Sequence, residues 1–313
     1  MASGSKTVII AALIGNSLIS VTKLVAAGIT GSSAMMSEGI HSLVDTGNQV
    51  LLLYGLKRAA KPPDEDFPFG YGKEIYFWSF IVAILIFALG GGISIYEGIN
   101  HIQHPEPIKS PIINYIVLGL AIVFEAGAWY FAFREFNRVR GHMGYLEAVQ
   151  RSKDPSLFVV LFEDSAAMLG LIVALVGVWL SQVTGAPVWD GIASVTIGLI
   201  LVGTAIWLAV ETKGLLIGES AKHEVVSGIR AALNANQDIE HVNEVLTVHM
   251  GPDFVLATIS VDFVDSITAG EMEADIAEID RAVKQQFPEI KRVFIEAERR
   301  SGQASAETAA ADS

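Results

Sequence analysis

Cysteine is absent from the 313 residues, which excludes disulfides and thiolate metal sites. Charge is scarce as well. Asp, Glu, Lys and Arg make up 18% of the chain, against about a quarter in an ordinary soluble domain. The net charge of −13 and the lack of a basic face argue against nucleic acid as a partner. No H-E-x-x-H helix occurs, so the paired-histidine site with a general base that a membrane metalloenzyme would use is missing.

Apolar length is what the chain has in excess. Hydrophobic residues make up 51% and the mean hydropathy is +0.47. Crossing the hydrocarbon takes roughly 20 mostly apolar residues in a helix, because no water is there to satisfy an exposed backbone. Six stretches meet that length, at residues 7–27, 33–56, 75–99, 112–133, 157–183 and 188–210. The first has little basic flank and no small-residue cleavage site, so it reads as a retained helix rather than a signal peptide. Lys57, Arg58, Lys61 and Lys73 lie between the second and third stretches, and Arg134, Arg138, Arg140, Arg151 and Lys153 between the fourth and fifth. The other connections hold only Lys109. This bias makes the basic loops and both termini cytoplasmic in a multi-pass membrane protein, with a bacterial inner membrane the expected setting.

Beyond residue 210 the pattern is that of a water-soluble domain. A helix-like segment over 221–235 precedes two β-like runs, "HVNEVLTVHM" and "FVLATISVDF", separated by the turn residues Gly251, Pro252 and Asp253. Met272, Ile276, Ile279, Val283 and Phe287 then repeat at helical spacing, Pro288 stops the helix, and "IKRVFIEAE" reads as a last strand. The expected fold class is a membrane α-helical domain of six transmembrane helices over 1–210, then a cytoplasmic α+β domain over 211–300. That domain has the order α-β-β-α-β, a ferredoxin-like arrangement. Residues 301–313 are small and polar and read as a disordered tail.

Polar residues inside the second stretch, "SEGIHSLVDTGNQ", oppose this apolar background. His41, Asp45 and Asn48 recur at i, i+4 and i+7 and so share one helical stripe. Imidazole and carboxylate are good ligands for zinc and neighbouring divalent metals, and the asparagine carbonyl is a weaker one. Two strong ligands do not fill a tetrahedral shell, so another helix must contribute. In the fifth stretch, "LFEDSAAMLG" puts Glu163 and Asp164 two turns past Pro155. Adjacent residues point about 100° apart. With Asp164 facing the stripe, Glu163 faces a neighbouring helix, where Lys23 of the first stretch is its expected counter-ion.

On a soluble helix such a His/Asp pair is usually only hydrogen-bonded. At the bilayer centre an ionisable group costs at least about 2.5–3.5 kcal/mol, which makes it a functional-site hypothesis by default. Glu97 and Glu125 read either as packing partners or as pathway residues. Asp190 reads as a helix cap at the start of the sixth stretch. Glu38, a turn toward the outside of the stripe, belongs to an ion exit route or pairs with a polar neighbour.

The motif set "HSLVD" in the second stretch, "FPFGYGKE" before the third, "ED" with a glycine six on in the fifth and "WDGIAS" in the sixth resembles the cation diffusion facilitator family. The likeness runs from residue 7 to about residue 298 and is nearest to the branch that includes a mitochondrial zinc transporter. It implies a homodimer, held by the cytoplasmic domain, that moves divalent metal out of the cytoplasm in exchange for protons. His41 and Asp45 match the two ligands of the family's second helix, and Asp164 the second ligand of its fifth. The first ligand of that helix is missing, because Val160 stands at its position. Asn48 is the first choice to complete the shell, ahead of water or a rotated Glu163. Thr258 replaces a histidine of many members, and the last strand likewise lacks one. His223, His241 and His249 read as surface or core residues, and His142 alone stands where some members carry a histidine-rich loop.

The expected function is therefore proton-coupled efflux of divalent transition metals, zinc favoured, with His41, Asp45, Asp164 and Asn48 as the metal site. The expected partners are metal ions, protons, the lipid bilayer and a second copy of the chain. No permanently bound cofactor and no enzymatic activity are expected. A manganese, iron, cobalt or cadmium exporter of the same fold, or a non-transporting membrane scaffold subunit, is the alternative.

Overall fold

The computed structural model describes residues 3–140, 144, 145, 148 and 155–300. His142, Arg151, Lys153 and the tail at 301–313 lie outside the described residues. The chain divides into two compact units, one of residues up to 58 with 75–213, the other of residues 59–74 with those from 214 onward.

The first unit is helical. It comprises α1 (Ser3–Thr30), α2 (Ser33–Ala59), α3 (Glu74–Gln103), α4 (Pro111–Arg140), α5 (Pro155–Thr184) and α6 (Val188–Ile217). Each overruns the apolar stretch that nucleates it, since propagation adds a backbone hydrogen bond per residue whatever the side chain. Among the described residues, α3 to α6 are long and apolar enough to cross a membrane. In α2, Glu38, His41, Asp45 and Asn48 break the apolar run.

Gly31, at φ 71°, ends α1 in the left-handed conformation that glycine adopts without a Cβ penalty, and its N–H returns to Ala27 O at 2.8 Å. Two residues later α2 begins, and its first turn is capped from a distant part of the chain. The carboxylate of Asp190 accepts from Ser32 Oγ at 2.6 Å and from the Ser33 N–H, Ser33 Oγ and Ala34 N–H. Asp190 is thus a helix cap, but of α2 and not of its own α6. A sequence window cannot show this, because the capped amides are more than 150 residues away.

Close packing of α3 on α6 runs through glycines spaced seven apart. Antiparallel, Gly91 faces Gly198 and Gly98 faces Gly191. A Cβ built at Gly191 would stand 2.9 Å from Gly98 O, and one at Gly198 would stand 2.9 Å from Gly91 O. Small residues permit this approach, which in lipid replaces the hydrophobic effect as the source of helix association. Within α3, Ile86–Gly92 is π-helical, an irregularity that glycine-rich "ALGGG" accommodates. The hydroxyls of Ser37 (α2) and Ser194 (α6) lie 2.7 Å apart, and that of Ser194 donates to Ser94 O of α3 at 2.8 Å.

The second unit contains α7 (His223–Asn234), β1 (Ile239–Gly251), β2 (Phe254–Phe263), α8 (Ala269–Gln286) and β3 (Ile290–Ala297). The sheet order is β1-β2-β3, with β1 antiparallel and β3 parallel to β2. The two helices supply Val225, Ile229, Leu233, Ile279 and Val283 to a core against Val255, Ala257, Ile259 and Val261 of the central strand. Thr268 and Glu271 form a capping box at the start of α8. Alternation leaves Leu246, Thr258 and Phe294, which are cross-strand neighbours, exposed on the other face. The "FPFGYG" segment folds about Asp64, whose carboxylate accepts from Phe67 N–H at 2.8 Å and Tyr71 hydroxyl at 2.6 Å. Those two donors, the tyrosine first, hold the Asp64 carboxyl below the usual carboxylate range.

Candidate metal site

Helical periodicity places Glu38, three residues before His41, on the same stripe of α2 as His41, Asp45 and Asn48. Partners from other helices close both ends of that stripe. At one end Lys23 of α1, buried as completely as Glu38, donates to Glu38 Oε2 at 3.2 Å and to Ser42 Oγ at 2.7 Å. At the other, Asn48 Nδ2 donates to Glu163 Oε1 of α5 at 2.7 Å.

Between these ends the polar groups are unsatisfied. His41 Nδ1 lies 3.3 Å from Asp45 Oδ1 without a hydrogen bond between them. Both ring nitrogens of His41, Asp45 Oδ1 and Asn48 Oδ1 are buried with no hydrogen-bond partner. Buried polar atoms are otherwise almost always paired, so four on one stripe need a reason. An imidazole nitrogen, a carboxylate oxygen and an amide carbonyl oxygen all present lone pairs, and together they suit a cation.

Two sequence-based expectations change here. Lys23 is not the counter-ion of Glu163 but of Glu38, because its ammonium reaches α2 and bonds there to the Glu38 carboxylate and the Ser42 hydroxyl. Glu163 is not turned away from the stripe; it is the α5 residue bonded to it, and Asp164, half-buried, lies about 100° round the helix. His41 with Asp45, and Asn48 with Glu163, are brought together, whereas the described residues contain no group of three or more His, Asp or Glu side chains placed to hold a metal ion. The reading of Glu38 as paired with a polar neighbour holds, but sequence reasoning did not find that the partner is Lys23 or that Ser42 shares it, although a lysine and a glutamate in apolar runs were the available signal. Val160, one turn before Asp164, offers no donor.

In the second unit His223 Nδ1 lies 3.1 Å from Ser227 Oγ, and His249 is buried with Nδ1 3.5 Å from Gly251 O. Thr258 is exposed on the open sheet face.

A family model described as the cation efflux transmembrane domain matches residues 9–217. The chain belongs to the cation diffusion facilitator family. Among its relatives, the proton-coupled zinc antiporter SLC30A9, mitochondrial, of Xenopus laevis is 35% identical over 263 residues, 83% of this chain and 47% of that protein. Metal tolerance protein C4 of Arabidopsis thaliana is 29% identical over 75% of this chain and 52% of its own length. The manganese efflux system protein MneP of Bacillus subtilis is 22% identical over 93% of this chain and 95% of its own. The chain spans about half the length of the mitochondrial antiporters it matches. Membership accounts for the multi-pass helical unit, and the matched segment contains the whole α2 stripe and its α5 partners.

Proposed function

We propose that this chain exports divalent transition-metal ions from the cytoplasm in exchange for protons, through a site formed by α2 and α5. The observation that carries the reading is the set of buried polar atoms without a hydrogen-bond partner on one stripe: His41 Nδ1 and Nε2, Asp45 Oδ1 and Asn48 Oδ1. Asp164 is assigned the α5 ligand position on the family likeness, and would fill it by turning about 100° toward the stripe, past the Glu163 that faces it here. Glu163 fixes the Asn48 amide by accepting from its NH2, which leaves the carbonyl oxygen for the metal. A transported cation would give these buried groups the partners they lack.

Proton exchange follows from ligand chemistry. His41 must be neutral and the carboxylates ionised to coordinate metal, so protons and metal compete for the same atoms. The relatives' names support both parts, one being a proton-coupled zinc antiporter and another a manganese efflux protein. With one nitrogen ligand among oxygens, zinc is favoured only modestly.

The architecture proposed is six crossings, α1 to α6, with both termini on the cytoplasmic side of a bacterial inner membrane, as the basic loops support. The α+β domain over 211–300 is read as ferredoxin-like and as the seat of a homodimer. The exposed Leu246 and Phe294 support such a self-complementary face.

A non-transporting scaffold is the second reading. It is favoured by Val160 in a ligand position and by the absence, among the described residues, of an assembled group of three ionisable ligands. Uptake of zinc and manganese into vesicles holding only this chain, driven by an imposed pH gradient, separates the two. Gradient-dependent uptake is expected, and none at all would leave the scaffold.

A further inference from the structure

Packed helices leave few voids larger than a water molecule, so a gap between them asks for an occupant. One lies between α4 and α5, a cavity of about 280 Å³ bounded by Trp129, Phe133 and Phe136 of α4, Leu161 and Phe162 of α5, and Tyr145. Trp129, Phe133, Phe136 and Arg140 recur at i, i+4, i+7 and i+11, so three aromatic rings and a guanidinium share one stripe of α4. The Arg140 guanidinium stands 4.1 Å from the centre of the Tyr145 ring, and its Nε donates to Asn137 Oδ1 at 3.1 Å. The apolar gap thus ends at a positioned positive charge.

Water does not suit this gap. Its inner surface is almost wholly apolar. Trp129 Nε1 donates to Ser165 Oγ at 3.0 Å and that hydroxyl donates to Leu161 O at 2.7 Å, so both groups already have partners. A buried water needs about two to four polar partners, and an apolar cavity stays dry. The walls are preformed, with Trp129 stacked on Phe133 at 4.8 Å between centroids and Phe162 on Trp207 of α6 at 4.1 Å. The volume lies below the roughly 300–1,000 Å³ of sites that enclose a whole small molecule, so what enters is one arm of a larger one.

The setting identifies that larger molecule. α4 is long and apolar enough to cross a membrane, and residues 134–140 at its end carry Arg134, Arg138 and Arg140 against Glu135. Arg134 and Arg138 are exposed, and the Arg138–Glu135 pair, 3.9 Å apart with both side chains more than half exposed, neutralises little. A hydrocarbon slot beside arginines at the end of an apolar span fits an acyl chain that carries a phosphate. Aromatic residues are common at membrane boundaries. The gap among these rings and their shared stripe with Arg140 single out this place.

We propose that the cavity between α4 and α5 takes one acyl chain of an anionic phospholipid, whose phosphate is held by Arg140 while Arg134 and Arg138 add to the positive field. The inference needs only that the helical unit lies in a bilayer, and it does not depend on the transport reading.

The test titrates the full-length chain in detergent with phosphatidylglycerol, or with phosphatidylcholine of the same acyl chains, and reads bound lipid by native mass spectrometry. Wild type should retain one phosphatidylglycerol per chain, about tenfold more tightly than phosphatidylcholine. Arg140→Gln should remove most of that preference, and Leu161→Trp, which fills the cavity, should abolish retention. Two further variants carry the test if these do not fold. Arg134→Gln/Arg138→Gln changes exposed residues only and should weaken phosphatidylglycerol about fivefold or more. Phosphatidylglycerol brominated on its chains, which quenches indole on contact, should show a saturable quenching that Trp129→Phe loses. Equal retention of the two lipids marks ordinary boundary lipid and overturns the proposal, as does wild-type binding in the arginine or Leu161 variants or unchanged quenching in Trp129→Phe.

Discussion

Asn48 donates to Glu163 across α2 and α5 at 2.7 Å, and the oxygen of the same amide is left buried with no hydrogen-bond partner. In the proposed site this bond sets the amide oxygen, not the nitrogen, toward the metal. Glu163→Gln retains an acceptor and should keep zinc uptake within a few-fold of wild type. Glu163→Ala removes the acceptor. Hydrogen bonds involving a charged group contribute about 1.5–3 kcal/mol, so uptake should fall about tenfold or more. Initial rates in proteoliposomes measure both, and equal losses would make the Glu163 carboxylate itself a ligand.

Asp45→Ala and Asp164→Ala each remove one of the charged ligands proposed for a site with few to spare. Both should abolish uptake while the purified protein keeps its helix content and its elution volume. Transport at the wild-type rate by either one refutes the ligand assignment.

His41 is the one nitrogen donor of the proposed set. His41→Asp makes the set all-oxygen while keeping the stripe, and carboxylate oxygens suit manganese and other harder ions. The zinc-to-manganese ratio of initial uptake rates should fall. An unchanged ratio would move His41 out of the coordination shell and make the stripe a proton path.

The glycine contacts of α3 on α6 set a different expectation. At Gly98 a Cβ would stand 2.7 Å from Gly191 O and 2.6 Å from Val195 N, backbone atoms that cannot swing aside. Gly98→Ala should cost about 1–3 kcal/mol, the range of core overpacking. Gly203→Ala, also in the α3–α6 pair but with nothing within 4 Å of its Cβ, should be neutral. Thermal unfolding in detergent compares them, and equal midpoints would show that the two helices do not rely on that approach.

Self-association of the full chain should survive chelation, because the proposed interface is the apolar sheet face around Leu246 and Phe294 and not a metal bridge. Leu246→Asp with Phe294→Asp should yield monomers on sedimentation. Monomers produced by a chelator alone would point instead to a metal-dependent interface.

Much of this was legible along the chain. Apolar length marked the helical unit, because lipid demands uninterrupted intrahelical hydrogen bonding. Alternation around Val255, Ala257 and Ile259 marked the central strand, and the i, i+4, i+7 spacing placed His41, Asp45 and Asn48 on one face. These are consequences of local periodicity, which sequence encodes directly. Which charge meets which is a matter of helix rotation and depth, and there the tertiary structure decided. Lys23 pairs with Glu38, Glu163 faces Asn48, and Asp190 caps α2 from the start of α6. Two adjacent acidic residues 100° apart read alike in sequence. Only the packing of α5 on α2 determines that Glu163 is the one turned to the stripe, because a buried carboxylate takes the orientation in which a donor meets it.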